Sequence, residues 1–172
     1  MYTRPILSIS EARKMVEFVM GDVERRPGWE PGAVAVVNHE GALMAFLAED
    51  ECCQIGRQTA IIKAVTGASL HHHTHYILQR SKQMGIDTFR IGMPNMTTSS
   101  GGIVIYHPET GHVLGAVGCS HWGPDRDREL GRKAIESVGL LHDPPAGSRL
   151  ANAAQIKFLS RSPDEIAPKK AG

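Results

Sequence analysis

Nine histidines and three cysteines are the groups in this 172-residue chain best suited to acid–base or ligand chemistry near neutral pH. Four histidines fall in one run, His71-His72-His73-Thr74-His75. On a helix, His71 and His75 share a face at i, i+4, and His72 and His75 stand at i, i+3. Either pair can chelate a divalent metal or offer an imidazole to haem iron. The run lacks the glutamate of a zinc-protease helix. A polar, partly exposed helix start would have the same composition.

A fifth histidine, His121, precedes Trp122 at a strand-to-helix corner just before Pro124. A helix N-terminus there favours anions, and the imidazole can act as acid or base, so His121 is the candidate catalytic residue. The plainer alternative is a packing tryptophan beside a surface histidine. Arg57, Lys63 and Arg90 can each pair with a ligand carboxylate, or with Glu49, Asp50 or Glu51. Asn95, Thr97, Thr98 and Ser99 can hydrogen-bond a ligand or satisfy turn backbone. With Trp122, the candidate ligand-binding set is Arg57, Lys63, Arg90, Asn95 and Ser99. Cys52 and Cys53 are adjacent and Cys119 ends a strand. An odd count with no export signal reads as reduced, structural thiols, and no CxxC suggests a zinc site. There is no Ser-His-Asp order, phosphate loop or dinucleotide fingerprint, and GCSHWG lacks the strand-elbow-helix context of a hydrolase nucleophile.

These residues must be carried by a small set of elements. Ser8 and Glu11 have capping-box spacing, and Ala12, Met15, Val16, Val19, Met20 and Val23 line one face, which predicts a helix over Ser8–Arg26. Ala33–Val37 and Ala42–Ala48 read as strands around the turn Asn38-His39-Glu40-Gly41. Gln54–Ala68 and Leu70–Met84 read as helices, the second carrying the histidine run. Residues 85–100 are irregular, and a long irregular segment in a compact domain is often functional. A second hairpin pairs Ile103–Tyr106 with Val113–Val117 through His107-Pro108-Glu109-Thr110-Gly111. Gly115 and Gly118 mark places where a backbone or ligand comes close. Pro124 opens a last helix whose buried stripe is Leu130, Ala134, Ile135, Val138 and Leu141, stopped by Asp143-Pro144-Pro145. A short helix over Leu150–Leu159 follows in the tail. Two hairpins merging into one antiparallel sheet with helices on both faces make an α+β sandwich. The expected organisation is one domain over 1–145 and a C-terminal extension over 146–172, packed on its own or a neighbouring subunit.

Composition narrows the function classes. A net charge of +1 with scattered Lys and Arg argues against nucleic acid. No apolar run reaches the ~20 residues that span a bilayer. MYTRPILSISEA has no apolar h-region, so the expected compartment is the cytoplasm.

Three stretches together, AVAVVNHEGALMAF, QTAIIKAVTGA and GGIVIYHPETGHVLGAVGCSHWGPDRDRELGRKAI, resemble the GlcG/HbpS family, which includes the C-terminal domain of PduO-type proteins. Ala60, Lys63 and Ala64 match the family's helix core. Gly115 through Ser120 match its hairpin end, and Asp127 its acidic helix position. The resemblance spans about residues 8–142. It implies a profilin-like fold, homo-oligomers, and a haem or tetrapyrrole ligand with haem degradation ascribed to some members. Asn38 stands where the family often has Asp, and His121-Trp122 follow Ser120 where a second Gly is usual. The expected function is therefore a small cytosolic, oligomeric haem- or tetrapyrrole-binding protein. The alternatives are an enzyme of small-molecule catabolism (an isomerase, hydratase or hydrolase acting on a carboxylate or aromatic compound) with histidine or metal chemistry, and a non-catalytic assembly module.

Overall fold

Two antiparallel hairpins join side by side through their outer strands. A computed structural model describes residues 4–23, 30–85 and 95–148. Along the chain run α1 (Ile9–Asp22), β1 (Ala33–Asn38), β2 (Leu43–Ala48), α2 (Gln54–Leu70), α3 (Thr74–Met84), β3 (Gly102–Tyr106), β4 (Val113–Ser120) and α4 (Pro124–Glu136). The sheet order is β2-β1-β4-β3 with every pair antiparallel. β1 and β4 fuse the hairpins in a register from Ala33 opposite Ser120 to Asn38 opposite Gly115. This is the α+β sheet with helices on both faces expected from the pattern.

Alternation along the strands builds two cores. Val34, Val36, Ile103, Ile105, Val117 and Cys119 face α1 and α4, where they meet Met15, Val19, Leu130 and Ile135. Ala33, Ala35, Val37 and Ala116 face α2, which answers with Ala60, Ala64 and Ala68. Small residues on both sides bring α2 unusually near the sheet. α1 opens on the expected capping box: Ser8 Oγ accepts from Glu11 N–H, and Glu11 accepts from Ser8 N–H at 2.8 Å. It ends at Asp22, short of Arg26, because Val23 turns extended. Asn38 closes the β1–β2 turn, where its Oδ1 accepts from the N–H groups of Glu40 and Ala42.

The histidine run does not lie on one helix. α2 stops where His71 enters the left-handed region at φ 55°, and α3 starts only after His73, which is extended. The expected helix over Leu70–Met84 is thus broken, and His71 and His75 share no face. The break turns side chains onto the outer edge of β3. Thr74 Oγ1 accepts from Gly102 N–H at 3.0 Å and His73 Nδ1 from Val104 N–H at 3.1 Å. Leu141 O accepts from Tyr106 N–H at 2.7 Å. Buried backbone donors need such partners. Since His73 accepts at Nδ1, its proton sits on Nε2, 3.5 Å from Asp143. His73→Ala strands the Val104 N–H in the interior. It is expected to lower stability by about 1–3 kcal/mol in urea melts and to speed hydrogen exchange at that amide.

Val138 and Leu141 also depart from the expected helical stripe. α4 ends at Glu136, and Gly139 at φ 75° turns the chain so that Leu141 can pair with Tyr106. The expected helix at Leu150–Leu159 lies outside the described residues.

Candidate functional site

α2 and the β4–α4 corner are locked together from inside. Gly118 has no side chain, and a Cβ there would stand 2.0 Å from Ala60 O and 2.7 Å from Ala64 N, both backbone atoms of α2. The close approach expected at Gly118 is therefore made by a helix backbone. Gly115 is pressed in the same way against Val37 O of β1. One turn along, the buried Lys63 ammonium donates to Asp127 Oδ2 at 2.9 Å and to Cys119 O at 2.8 Å. Asp127 Oδ1 accepts from Trp122 N–H at 3.1 Å. Burial pushes the Asp127 carboxyl up, against the pull of Lys63. Lys63 thus ties α2, the end of β4 and the start of α4 to each other and does not present its charge to a ligand.

Above this pair the chain reverses. Ser120 is buried, His121 takes φ 81°, Trp122 turns inward, and Gly123 at φ 95° leads into Pro124. Trp122 packs over Gly32, and its indole N–H donates to Glu49 Oε2 at 2.8 Å, the oxygen that also accepts from Gly32 N–H. Trp122 is a buried brace beneath the corner. A left-handed φ at a residue with a Cβ costs of order 1–2 kcal/mol. At φ 81° the chain accepts this strain to place an imidazole at the corner.

The His121 ring is 21% exposed, and its Nδ1 lies 2.9 Å from Glu30 Oε2. A carboxylate beside Nδ1 favours, in the neutral ring, the tautomer with its proton on that nitrogen and the lone pair on Nε2. Cys53 Sγ stands 3.8 Å from Nε2 and 3.9 Å from Nδ1. Gly56 makes the room, because a Cβ on it would lie 2.9 Å from the ring. Cys53 is exposed and is the N-cap of α2, yet its side chain makes no capping bond. Beside it, Ile55 is 66% exposed, and Arg57 is exposed with its Nε donating to Cys52 O. By contrast, burial pushes the thiols of Cys52 and Cys119 up.

The remaining sequence candidates scatter. His71 caps the far end of α2, whose 17 residues span about 25 Å. His75 is pushed down to about 4 by burial, and its Nδ1 is enclosed with no hydrogen-bond partner. Asn95 is exposed. The Ser99 N–H donates to Thr97 Oγ1, and Thr97 N–H donates to Thr66 on α2. Ser100 Oγ donates to Pro124 O, which brings the end of this loop to the corner. Arg90 lies outside the described residues. Among the described residues no three His, Cys, Asp or Glu gather as a metal site.

Cys53 and Glu30 are the site residues that sequence reasoning passed over. Cys53 had a signal, since it falls between the acidic link and the first helical residue, where an N-cap stands. Glu30 had none.

The model of the family described as "Haem degrading protein HbpS-like" matches residues 7–136. No curated protein matches the chain. Among solved structures, the PduOC:haem complex superposes with a TM-score of 0.69 at 17% identity, covering 79% of this chain and 97% of that one. A double mutant of HbpS from Streptomyces reticuli gives 0.68 at 20% identity, covering 80% and 90%. Protein ORFY of Klebsiella pneumoniae gives 0.68 at 21% identity, covering 80% and 94%.

Proposed function

Since the chain belongs to the haem-degrading protein HbpS-like family, we propose that it binds haem or a related tetrapyrrole at the corner where α2 begins. The observation that carries this reading is the His121 imidazole. Its Nδ1 lies 2.9 Å from the Glu30 carboxylate, and the side chain keeps 21% of its surface exposed at the corner. Metal-bound histidines are typically oriented in this way through the nitrogen that does not bind. Haem held there would supply the redox and dioxygen chemistry of its iron. The protein's own contributions are local. Glu30 fixes the tautomer of His121, Ile55 offers apolar surface to the macrocycle, and the free end of the Arg57 guanidinium can take a propionate.

Titration of the purified protein with haemin is expected to shift the Soret band, and His121→Ala to weaken binding at least about tenfold. His71→Ala and His75→Ala should leave it unchanged, because His71 lies at the other end of α2 and His75 follows it on α3. No shift, or loss of binding in the His71 variant alone, would reject the site. Decay of the band under reductant and oxygen tests for degradation.

The reading includes a homo-oligomer. Leu43 and Leu47 on the edge strand β2 are 51% and 38% exposed, together with Ile6 and Ile9 at the start of α1. Exposed large apolar groups along a sheet margin support a contact surface there. Light scattering is expected to give a multiple of 18.7 kDa that falls to the monomer in Leu43→Glu/Leu47→Glu.

A further inference from the structure

We propose that Cys53, His121 and Glu30 form a thiol acyl-transfer site that hydrolyses a small activated ester or thioester. The parts of such a site are a nucleophile, a base within reach, a group orienting the base, and donors for the developing oxyanion. Cys53 is the exposed nucleophile at the start of a 17-residue helix. His121 is the base, with its ring nitrogens 3.8 and 3.9 Å from Sγ, and Glu30 orients it at 2.9 Å. Sγ is nearly equidistant from the two ring nitrogens, so the acid–base contact forms when the Cys53 or His121 side chain rotates to aim Nε2 at the thiol. Catalytic contacts are commonly this loose in a ligand-free site. The N–H groups of Gln54, Ile55 and Gly56 belong to the first turn of α2 and have no intrahelical acceptor. They adjoin the nucleophile and stand ready for an oxyanion. Ile55 gives an apolar surface for the acyl chain. The left-handed backbone at His121 and the missing side chain at Gly56 both serve one end, seating an imidazole against this thiol.

In the reaction, His121 Nε2 takes the thiol proton, and sulfur bonds to the carbonyl carbon. The C=O electron pair moves to oxygen, towards the first-turn N–H groups. Collapse breaks the bond to the leaving oxygen or sulfur, which receives the proton from His121. Water, deprotonated by His121, then attacks the thioester, the C–S bond breaks, and the thiol regains its proton. The sum is ester plus water to acid plus alcohol, or thioester plus water to acid plus thiol, with no change of oxidation state.

The test is the full chain mixed with p-nitrophenyl acetate. The expected result is a burst of one p-nitrophenolate per chain and an acetyl group on the Cys53 peptide by mass spectrometry. Cys53→Ala should lack the burst, and His121→Asn, which tolerates the left-handed backbone, should slow it about 10²-fold or more. Glu30→Gln should slow it about tenfold and abolish the Nδ1–H tautomer signature of His121 in nitrogen-proton NMR, which a merely structural glutamate would not set. If Cys53→Ala fails to fold, wild-type protein blocked with iodoacetamide takes its place. No burst, an adduct on another residue, or a wild-type rate in His121→Asn overturns the proposal. The readout needs no haem, so failure of acylation and failure of haem binding are separate results.

Discussion

Gly118→Ala is expected to leave little folded protein, with a loss above about 4 kcal/mol against the 5–15 kcal/mol that holds a domain of this size. The added methyl would stand 2.0 Å from Ala60 O and 2.7 Å from Ala64 N. Neither atom belongs to a side chain that can rotate away. Relief requires α2 to lift from the sheet, and Ala33, Ala35, Ala60, Ala64 and Ala116 would lose their packing together. Gly21→Ala is the control. Among the described residues nothing lies within 4 Å of a Cβ at that position in the last turn of α1, so a gain of at most about 0.5–1 kcal/mol follows from helix propensity. Soluble yield and urea midpoints measure both. A wild-type midpoint for Gly118→Ala would show that the helix does not sit where it is described.

The second large effect concerns Lys63. Lys63→Met removes the cation from a buried carboxylate that it meets at 2.9 Å, with both side chains almost fully enclosed. Removing one partner of such a pair costs about 3–5 kcal/mol, because the survivor is left charged in the interior. Asp127 is already pushed up by burial, so without Lys63 it should take up a proton at higher pH still. The variant is therefore expected to regain part of its stability as pH falls. Lys63→Met with Asp127→Leu should recover part of the loss, since no charge is left buried, while Cys119 O and Trp122 N–H still lose their partners. Urea melts of the single and double variants at two pH values decide this. Equal stability of Lys63→Met and wild type would mean that the pair does not hold the corner.

Both effects come from residues whose identity was plain in the sequence and whose role was not. The hairpins, the capping box at Ser8 and the start of α4 at Pro124 were legible because they follow from neighbours in the chain. Lys63 was read as a ligand-binding cation because its partner is 64 residues away and nothing in the helix announces it. The break between the two helices was legible, but it falls at His71–His73 and not at residue 69. Glycine signals a left-handed turn, but a histidine adopting the same backbone does not, so the boundary is drawn before the histidine run and not inside it. His121 was found at its corner. Glu30 and Cys53, which decide what its ring can do, arrive from two other loops, and only the β1–β4 register brings all three together.

The two margins of the sheet are finished differently. Along β3 the outward N–H groups are already taken by Thr74, His73 and Leu141. β2 is the opposite margin, and among the described residues no strand pairs with its outer side. Strand-by-strand accretion between molecules therefore has one docking side and not two. Two chains that add β2 to β2 about a two-fold axis consume both docking sides, and growth of the sheet stops at eight strands. An open-ended fibre needs a second free margin, and the polar side chains of a broken helix have removed it.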